Sequence, residues 1–311
     1  MYTDFKKSGV IHKIVQQKVK DNLDKFKTAL DIVEFIEHSI KELTKYDSNN
    51  PLKAGIAFPV GISINDVAAH FTPSKENNPL INKDDLIKID FGVHINGCIS
   101  DGAFSWCPSG KYNDLINISK GATELAIKNS GPDVILGELG GLIQEYIESK
   151  QIEIDNKILP VKSIYDLSGH NIAPYVIHVD KAVPNIKIPY FERMKENEVF
   201  AIETFPTTGN GVIYHDDECN HFMIEKKKAI KLQSAIKNDN LPQACLGKPS
   251  LWKKIYTERS TLAFCPRWFD FEIPETSYIT KYPVLKTIDG GIVAQYEKTI
   301  YIKSNGFDII N

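Results

Sequence analysis

The spacing of apolar residues predicts helices near the start of the chain. Over residues 11–45, apolar side chains recur at steps of three and four among Lys, Asp and Gln, which is the period of an amphipathic helix. We therefore predict one or more helices here, followed by a break at Asn49-Asn50-Pro51. The same patterns predict two further helices and several strands: helices over 114–130 and 133–149, and strands around 198–205, 211–214, 221–224 and 292–302.

The clearest pattern lies in residues 86–104 and predicts a β-hairpin. Apolar residues alternate with polar or small ones along its first half, which is typical of a strand that is buried on one face. Asn96-Gly97 follows and supplies the favoured two-residue turn. Counting back along both strands from that turn pairs Gly92 with Asp101.

This register places two carboxylates on one face of the hairpin. Side chains alternate across a strand, so Asp90, Gly92 and Asp101 share a face, and the two aspartates are diagonal neighbours roughly 7–8 Å apart at the backbone. Carboxylates at this separation can hold ions between them, and Gly92 leaves the space between them open. From the hairpin alone, the commoner explanation is two solvated carboxylates on the wet face of an antiparallel sheet.

Three further residues suit the same chemistry. Glu203 lies in a nearly continuous apolar strand, where a buried carboxylate is costly unless it is paired or bound to a metal. Glu297 lies in the middle of another predicted strand, and His170 follows Gly169 after a predicted strand and offers an imidazole. Each of the three by itself is more often structural, as a salt-bridged Glu or a hydrogen-bonded His.

Together the five side chains form a hard, oxygen-rich ligand set. Four carboxylates and one imidazole suit Co, Mn, Fe or Zn better than they suit a thiolate-bound structural zinc. Two divalent ions would balance four ionised carboxylates, which would otherwise repel one another and could not all stay ionised. Spacing along the chain does not show that these segments converge.

Composition narrows the function by exclusion. The 311 residues suit one large domain or a domain with an insertion, and the net charge of −3 favours neither nucleic acid nor a membrane surface as a partner. The five cysteines are odd in number and lack metal-knuckle spacing, which favours a reducing compartment. The first residues lack an apolar signal core, and no apolar run approaches the roughly 20 residues of a membrane helix. We therefore expect a cytoplasmic protein.

Five short motifs resemble the metal-ligand motifs of the methionine aminopeptidases in order and spacing. They are Lys88-Ile89-Asp90-Phe91-Gly92, Asp101, Gly169-His170, Ala201-Ile202-Glu203-Thr204-Phe205 and Ala294-Gln295-Tyr296-Glu297. The resemblance implies the family's pita-bread fold, an α/β (α+β) architecture of curved antiparallel sheets with outer helices. It also implies two divalent ions. Asp90 would bind one of them, Asp101 and Glu297 would bridge both, and His170 and Glu203 would complete the other.

A second group of motifs resembles the type 2 members of that family. They are Gly55-Ile56-Ala57-Phe58-Pro59, Ala68-Ala69-His70-Phe71-Thr72-Pro73, Ile177-His178, His221-Phe222-Met223 and Tyr282-Pro283. Residues 225–282 resemble the mainly helical insertion of this type. We therefore expect a catalytic domain of residues 1–224 and 283–311, interrupted by that insertion.

The type 2 resemblance implies a function and a role for each residue. We expect a metalloaminopeptidase that removes the initiator methionine from nascent polypeptides and prefers a small second residue. His70 would contact the substrate backbone beside the scissile bond, His178 would donate to the oxyanion, and Glu203 would act as general base. Apolar and aromatic walls would bind the methionine side chain, and the residues implied are Phe58, Ile177, His221, Met223 and Tyr282. Without the resemblance, core packing explains Phe58, Ile177 and Met223 equally well.

The sequence also departs from the family pattern. The long charged N-terminal extension of many eukaryotic type 2 enzymes is missing, so ribosome association has no support here, and the resemblance implies a monomer. Pro206 stands where we expect a glycine, and it would stiffen the end of the strand that carries Glu203. The resemblance further implies that fumagillin, an inhibitor of type 2 enzymes, alkylates His70.

Three other functions fit parts of the pattern. A prolidase or aminopeptidase P resembles the same ligand set but acts at X-Pro bonds, and the pocket motifs and the insertion argue against it. A pita-bread adaptor that binds protein or RNA without catalysis typically lacks metal ligands, whereas here all five positions are filled, as are His70 and His178. A type 1 methionine aminopeptidase is disfavoured by the insertion.

Overall fold

Helices and short antiparallel strands make up the chain, in keeping with the predicted pattern. A computed structural model describes residues 1–238, 249–269 and 277–311. The helices are α1 Tyr2–Lys20, α2 Ala29–Thr44, α3 Asn113–Lys128, α4 Leu136–Glu148, α5 Lys226–Lys237 and α6 Pro249–Arg259, with 3₁₀ turns at Leu23–Lys25 and Pro266–Trp268. In these described ranges no helix is long and apolar enough to cross a membrane.

The strands are mostly short, with three long exceptions. In chain order they are β1 Ala54–Ile56, β2 Gly61–Ile64, β3 Val67–Ala69, β4 Ile87–Ile95, β5 Cys98–Trp106, β6 Gln151–Ile154, β7 Lys157–Pro160, β8 Lys162–Ser163, β9 Ser168–Ile172, β10 Ala182–Pro184, β11 Val199–Thr204, β12 Pro206–Thr207, β13 Ile213–His215, β14 His221–Met223, β15 Thr280–Tyr282, β16 Leu285–Thr287, β17 Tyr296–Lys303 and β18 Gly306–Ile309. The long strands β4, β5 and β17 carry three of the predicted carboxylates.

The first sheet is built around β4. Strands β1 and β2 pair with parts of one edge of β4, and β5 pairs with the other edge along its full length. Helices α1 and α2 pack against one face of this sheet through a shared apolar cluster that includes Val15, Ile36 and Phe91. The capping box of Thr28 and Asp31 starts α2, which agrees with the helices predicted over residues 11–45.

Strand β4 is buried on both faces, so the prediction of a strand with one wet face is wrong. Its polar face is covered by the second half of the molecule, and Lys88 and His94 on that face are fully buried. The Lys88 ammonium donates to the carbonyl oxygens of Asn65 and Val293, at 2.9 and 2.8 Å. Burial lowers the pKa of Lys88 to about 7.

The second sheet has the order β10-β9-β11-β17-β18, with all neighbours antiparallel. Helices α3 and α4, both predicted, lie behind it and share its apolar cluster, which includes Leu139, Phe200 and Ile300. Each sheet therefore carries a pair of helices on its outer face. The opposite faces meet in the middle of the molecule.

Backbone and side-chain hydrogen bonds join the two sheets. The N–H of Asp101 on β5 donates to the hydroxyl of Thr299 on β17, which donates back to the Asp101 carbonyl, both at 2.8 Å. The amide oxygen of Asn311 accepts from the N–H of Thr299 at 2.8 Å. Strand β5 is thus held at a set position relative to β17.

Helices α5 and α6 lie in the stretch expected to be the insertion. They share an apolar cluster that includes Leu232, Trp252 and Phe264, and β15 returns the chain to pair with β14. The domain boundaries at residues 225 and 282 stay a prediction. The cysteines in the described ranges form no disulfide, and Cys245 lies outside those ranges.

Candidate active site

The predicted hairpin has the predicted register. Asn96 and Gly97 form the turn with φ of 50° and 78°, and Gly92 lies opposite Asp101. Asp90 and Asp101 therefore share a face of the sheet. The interpretation of Gly92 changes, however, because a Cβ there would lie 2.3 Å from Cε1 of Phe58. The missing side chain makes room for the Phe58 ring rather than for open space between the carboxylates.

Pairing of β11 with β17 brings two more carboxylates to the same place. Glu203 and Glu297 lie directly opposite each other in the register of these strands. His170, within β9 rather than after a strand, pairs through its backbone with Ala201. Its Nε2 lies 3.6 Å from Oδ2 of Asp101 and 3.7 Å from Oε1 of Glu203.

These residues converge at the bottom of one cavity. Asp101, His170 and Glu297 each offer a ligand atom within 4.8 Å of the others. The exposed fractions of Asp101, Glu203 and Glu297 are 3%, 8% and 2%. We call the four acidic residues Asp90, Asp101, Glu203 and Glu297 the carboxylate wall.

Burial and mutual repulsion disfavour ionisation of the carboxylate wall. Burial raises the pKa of Asp90 to about 6. Burial first, and then the charges of Asp90 and Glu203, raise the pKa of Asp101 well above its usual range. Burial is also the main cause of the raised pKa of Glu203 and of Glu297, with neighbouring carboxylates adding to it.

The carboxylate wall fits divalent cations, which would offset the cost of burying several ionised carboxylates close together. Within the described part of the chain, three of its buried oxygens have no hydrogen-bond partner: Oδ1 of Asp90, Oδ1 of Asp101 and Oε2 of Glu297. Buried polar atoms are rarely left in this state. Carboxylate oxygens with one imidazole suit first-row divalent metals. The donor set and its unpaired oxygens therefore both indicate a metal site.

Gln295 belongs to the site and was not singled out by the sequence interpretation. Its Nε2 lies 3.2 Å from Oδ2 of Asp90 and 3.3 Å from Oε2 of Glu203, and so links the two sheets across the carboxylate wall. Ser105 exchanges hydrogen bonds with the Gln295 backbone, both at 2.9 Å. Gln295 lies two residues before Glu297 in the strand predicted around 292–302, and this spacing on a strand with alternating faces was the available signal.

The other side of the cavity carries His70, His178 and His221, which we call the histidine wall. His70 has a positive φ of 67° and places Nδ1 3.2 Å from the carbonyl oxygen of Pro283. A carbonyl only accepts, so Nδ1 carries the proton and Nε2 of the neutral ring is an acceptor. Burial lowers the pKa of His70 to about 4 and that of His221 to about 3.

Aromatic contacts hold the histidine wall together. The ring centroids of His70 and His221 are 6.0 Å apart, and the ring of Tyr282 meets that of His70 edge-on at 5.6 Å. His178 stands perpendicular to His170 with 4.2 Å between centroids. Its Nδ1 lies 3.5 Å from the Tyr282 hydroxyl. His178 therefore lies between His170 and Tyr282.

The cavity between the walls has a volume of about 190 Å³. Eleven of the twelve residues singled out from the sequence line it: Phe58, His70, Asp90, Asp101, His170, Ile177, His178, Glu203, His221, Tyr282 and Glu297. Met223 lies in the apolar cluster behind this lining, with Ile177 and Phe58. A wider groove of about 480 Å³ continues outward from the cavity, and the two share Ser168, His170 and His178.

The sequence is similar to known peptidases over its whole length. The family model for metallopeptidase family M24 matches residues 3–241. Methionine aminopeptidase 2 of Yarrowia lipolytica is 36% identical, covering 100% of this chain and 66% of that protein. Methionine aminopeptidase 2-1 of Fusarium vanettenii is 37% identical, covering 99% of this chain and 70% of that protein. The chain belongs to the methionine aminopeptidase 2 group of metallopeptidase family M24.

The fold agrees with this membership. A solved methionine aminopeptidase structure from Thermotoga maritima has a TM-score of 0.66 to this chain at 19% identity, covering 100% of this chain and 97% of that one. The predicted pita-bread α/β fold is therefore confirmed. Membership of the methionine aminopeptidase 2 group also confirms a hydrolase of the metallopeptidase class and implies the use of divalent metal.

Proposed function

We propose that this chain hydrolyses the peptide bond that follows an N-terminal methionine, using two divalent ions. One observation carries the proposal: a single cavity has three buried carboxylates, a partly buried one and an imidazole on one side, and neutral and apolar side chains on the other. Such a cavity can hold cations and an uncharged side chain at once. It therefore suits a metal-assisted reaction on a substrate with an apolar end.

The ligand roles follow the resemblance, and the closeness of Asp101, His170 and Glu297 supports them. Asp90, Asp101, His170, Glu203 and Glu297 would together hold the ions. When bound, the ions would polarise the scissile carbonyl and make the attacking water more acidic. Co, Mn, Fe and Zn all fit this donor set. The metal content of the purified protein is the direct measure of ion number and identity.

Proton transfer falls to Glu203. Its carboxylate lines the cavity, with Oε1 3.7 Å from Nε2 of His170, so it is placed to accept a proton from water and give it up again. The water oxygen would join the carbonyl carbon, the C–N bond would break, and Glu203 would deliver the proton to the departing amine. His178, which lies between His170 and Tyr282, would donate to the oxygen on which negative charge develops. His70 would accept from the substrate backbone through Nε2.

The apolar side of the cavity would bind the methionine side chain. Phe58, Ile177, His221 and Tyr282 line it, and Met223 packs behind them. A flexible thioether suits aromatic and apolar walls. Beyond the second residue, which we expect to be small, the polypeptide would leave through the outer groove, whose lining includes Val179, Ile188 and Tyr190.

The test is methionine release from a Met-Ala-Ser peptide after Mn or Co is added to metal-stripped protein. We expect metal-dependent release by the wild type and none by Glu203→Gln. Glu42→Gln is the matched control, because Glu42 lies on the surface and pairs with Lys18. No release by folded protein with any divalent metal would contradict the proposal.

The same assay separates the alternatives. Turnover of an X-Pro dipeptide in place of Met-Ala-Ser would favour a prolidase or aminopeptidase P. Failure to take up metal would favour the adaptor that binds protein or RNA. The cytoplasmic location, the monomeric state and the absence of a required nucleic acid or membrane partner stay predictions, to be checked by localisation and by mass in solution. Ribosome association stays possible but without support.

A further inference from the structure

Arg259, the last residue of α6, is buried behind the substrate cavity. It is 8% exposed, and its guanidinium donates to three carbonyl oxygens. Nη1 reaches Ile56 at 3.0 Å and Nη2 reaches Ala57 at 2.9 Å. Nε and Nη2 both reach Ala263, at 3.1 and 2.7 Å. One planar cation therefore joins two segments that are far apart in the sequence.

Both segments form parts of the cavity wall. Ala57 immediately precedes Phe58, and Phe58 and Ala263 both line the cavity. Phe58 is also confined from its other side, because its ring lies over Gly92 with no room for a Cβ. The position of the Phe58 ring relative to Ala263 thus depends on the bonds that Arg259 makes.

The charge of Arg259 makes these bonds costly to break. Among the described residues, its guanidinium contacts the three carbonyls and the ring of Trp268, whose centre lies 4.8 Å from the guanidinium carbon. The neighbouring carboxylate of Glu37 accepts instead from Arg267 and Trp268, at 2.5 and 2.8 Å. Moving either wall segment outward would leave some of the N–H groups of a buried cation without acceptors, which is unfavourable.

The residues that follow Arg259 tie the same segment to other parts of the cavity. The hydroxyl of Thr261 donates to the Tyr175 carbonyl at 2.5 Å, close in sequence to Ile177. Phe264 and Phe222 exchange backbone hydrogen bonds of 2.8 and 2.9 Å, next to His221. The segment from Arg259 to Phe264 therefore touches several of the apolar walls, and Arg259 is its charged anchor.

We propose that Arg259 is a specificity-determining positioning residue that sets the width of the side-chain cavity. The proposal rests on the proposed function, since it concerns the cavity assigned to methionine. A guanidinium presents its donors in a fixed plane, whereas a lysine ammonium is a single point on a flexible stem. Lysine at this position keeps the charge but cannot hold three carbonyls in one plane, so the wall becomes looser.

The experiment compares Arg259→Lys and Arg259→Met with Arg267→Lys. Arg267 is the matched control, because it belongs to the same part of the chain but pairs with Glu37 and not with the cavity wall. Peptides that begin with Met, Leu or Phe, each followed by Ala-Ser, are assayed for KM and kcat. We expect both Arg259 variants to raise KM for the Met peptide about tenfold and to narrow its advantage over Leu and Phe. The kcat and the metal content should stay near those of the wild type.

Several outcomes would overturn the proposal. Unchanged KM and selectivity in folded Arg259→Lys would do so, and so would equal effects of Arg267→Lys. If circular dichroism shows that Arg259→Met is unfolded, the test relies on Arg259→Lys. If both variants are unfolded, Arg259 has a purely structural role and the proposal is overturned.

A binding assay separates this proposal from the proposed function. Calorimetry of L-methionine and L-leucine with wild type and Arg259→Lys measures cavity width without turnover. The wild type could be inactive and still bind L-methionine more tightly than L-leucine, while Arg259→Lys binds both equally. That result would refute the proposed function and support the inference about Arg259. If both proteins prefer L-methionine over L-leucine equally, or if neither protein binds these amino acids, the inference about Arg259 is refuted.

Discussion

The carboxylate wall and the histidine wall face the same cavity from different kinds of backbone. The four carboxylates come from the paired strands β4, β5, β11 and β17. In the histidine wall, His70 directly follows the three-residue strand β3, His221 begins the three-residue β14, and His178 lies between strands. The groups proposed to meet at a metal are thus held by ladders of backbone hydrogen bonds. Groups that would meet a variable polypeptide lie on short elements.

Burial affects the two walls in opposite directions. It raises the pKa of each carboxyl and lowers the pKa of His70 and His221. Both walls are therefore driven towards their neutral forms, yet only the carboxylates also repel one another. Cations relieve that repulsion, whereas the histidines need no compensation to stay neutral near pH 7. One cavity can in this way hold a strongly charged centre beside an uncharged binding surface.

The largest effect should come from removing one charge of the carboxylate wall. Glu297→Gln should lose bound metal and reduce kcat/KM by more than the roughly 100-fold typical of residues that only support a ligand. His221→Asn, on the other wall, should keep its metal content and mainly raise KM. Metal analysis and peptide kinetics on both variants check this, and equal metal loss in both would break the distinction between the walls.

A variant of Gln295 tests whether the carboxylate wall depends on an uncharged amide to position its side chains. Gln295→Ala removes the amide that links Asp90 with Glu203, so metal affinity should fall about 10- to 100-fold. Gln17→Ala is a control, because Gln17 is exposed and bonds only to Asp21 among the described partners. Titration with Mn or Co gives the affinities. An affinity equal to that of the control would show that the strands alone position the carboxylates.

The pH dependence of stability should differ in sign between the walls in metal-free protein. Folding raises the pKa of Asp90 from 3.8 to about 6, so its contribution to stability is present at low pH and is lost as pH rises through about 6. Folding lowers the pKa of His221 from 6.5 to about 3, so its contribution is present above 6.5 and is lost as pH falls. Each group adds a slope of about 1.4 kcal/mol per pH unit within its window.

The pH ranges over which Asp90 and His221 titrate overlap, so single-residue variants are needed to separate their contributions to stability. Between about pH 4 and 6, Asp90→Asn should make the free energy of unfolding rise more steeply with pH, and His221→Asn should make it rise less steeply or fall. Urea unfolding of metal-stripped protein measures both slopes. Changes of the same sign in the two variants would refute the opposition between the walls.

The smallest effect concerns the apolar side of the cavity. Gly92→Ala would place a Cβ 2.3 Å from the Phe58 ring and 2.9 Å from Cβ of Ala57, so both must shift at a cost of about 1–3 kcal/mol. KM for a Met peptide should rise a few-fold while metal content is unchanged. Gly141→Ala is the control, since the nearest atom to its Cβ lies at an ordinary 3.5 Å. A loss of metal in Gly92→Ala would mean that Gly92 serves the carboxylates after all.

Local features were predictable from the sequence because their physics is local. The period of apolar residues predicted α1 to α4, and the Asn96-Gly97 turn set the register that brings Asp101 opposite Gly92. A two-residue turn leaves one pairing for the strands that it joins, so the position of Asp90 relative to Asp101 followed by counting. The family motifs then pointed to Glu203, Glu297 and His170, which no period along the chain could have grouped.

Only the tertiary structure decided what covers each face and which distant segments meet. A strand's pattern shows that a face is polar but not whether water or another sheet lies over it, which is why the burial of Lys88 was missed. The pairing of Glu203 with Glu297 depends on hydrogen bonds between strands far apart in the sequence. The hydrogen bonds from Arg259 on α6 to the carbonyls of Ile56 in β1 and of Ala57 also join segments far apart in the sequence. Those contacts are made by groups that every residue carries, the backbone carbonyls, so no residue type along the chain marks them in advance.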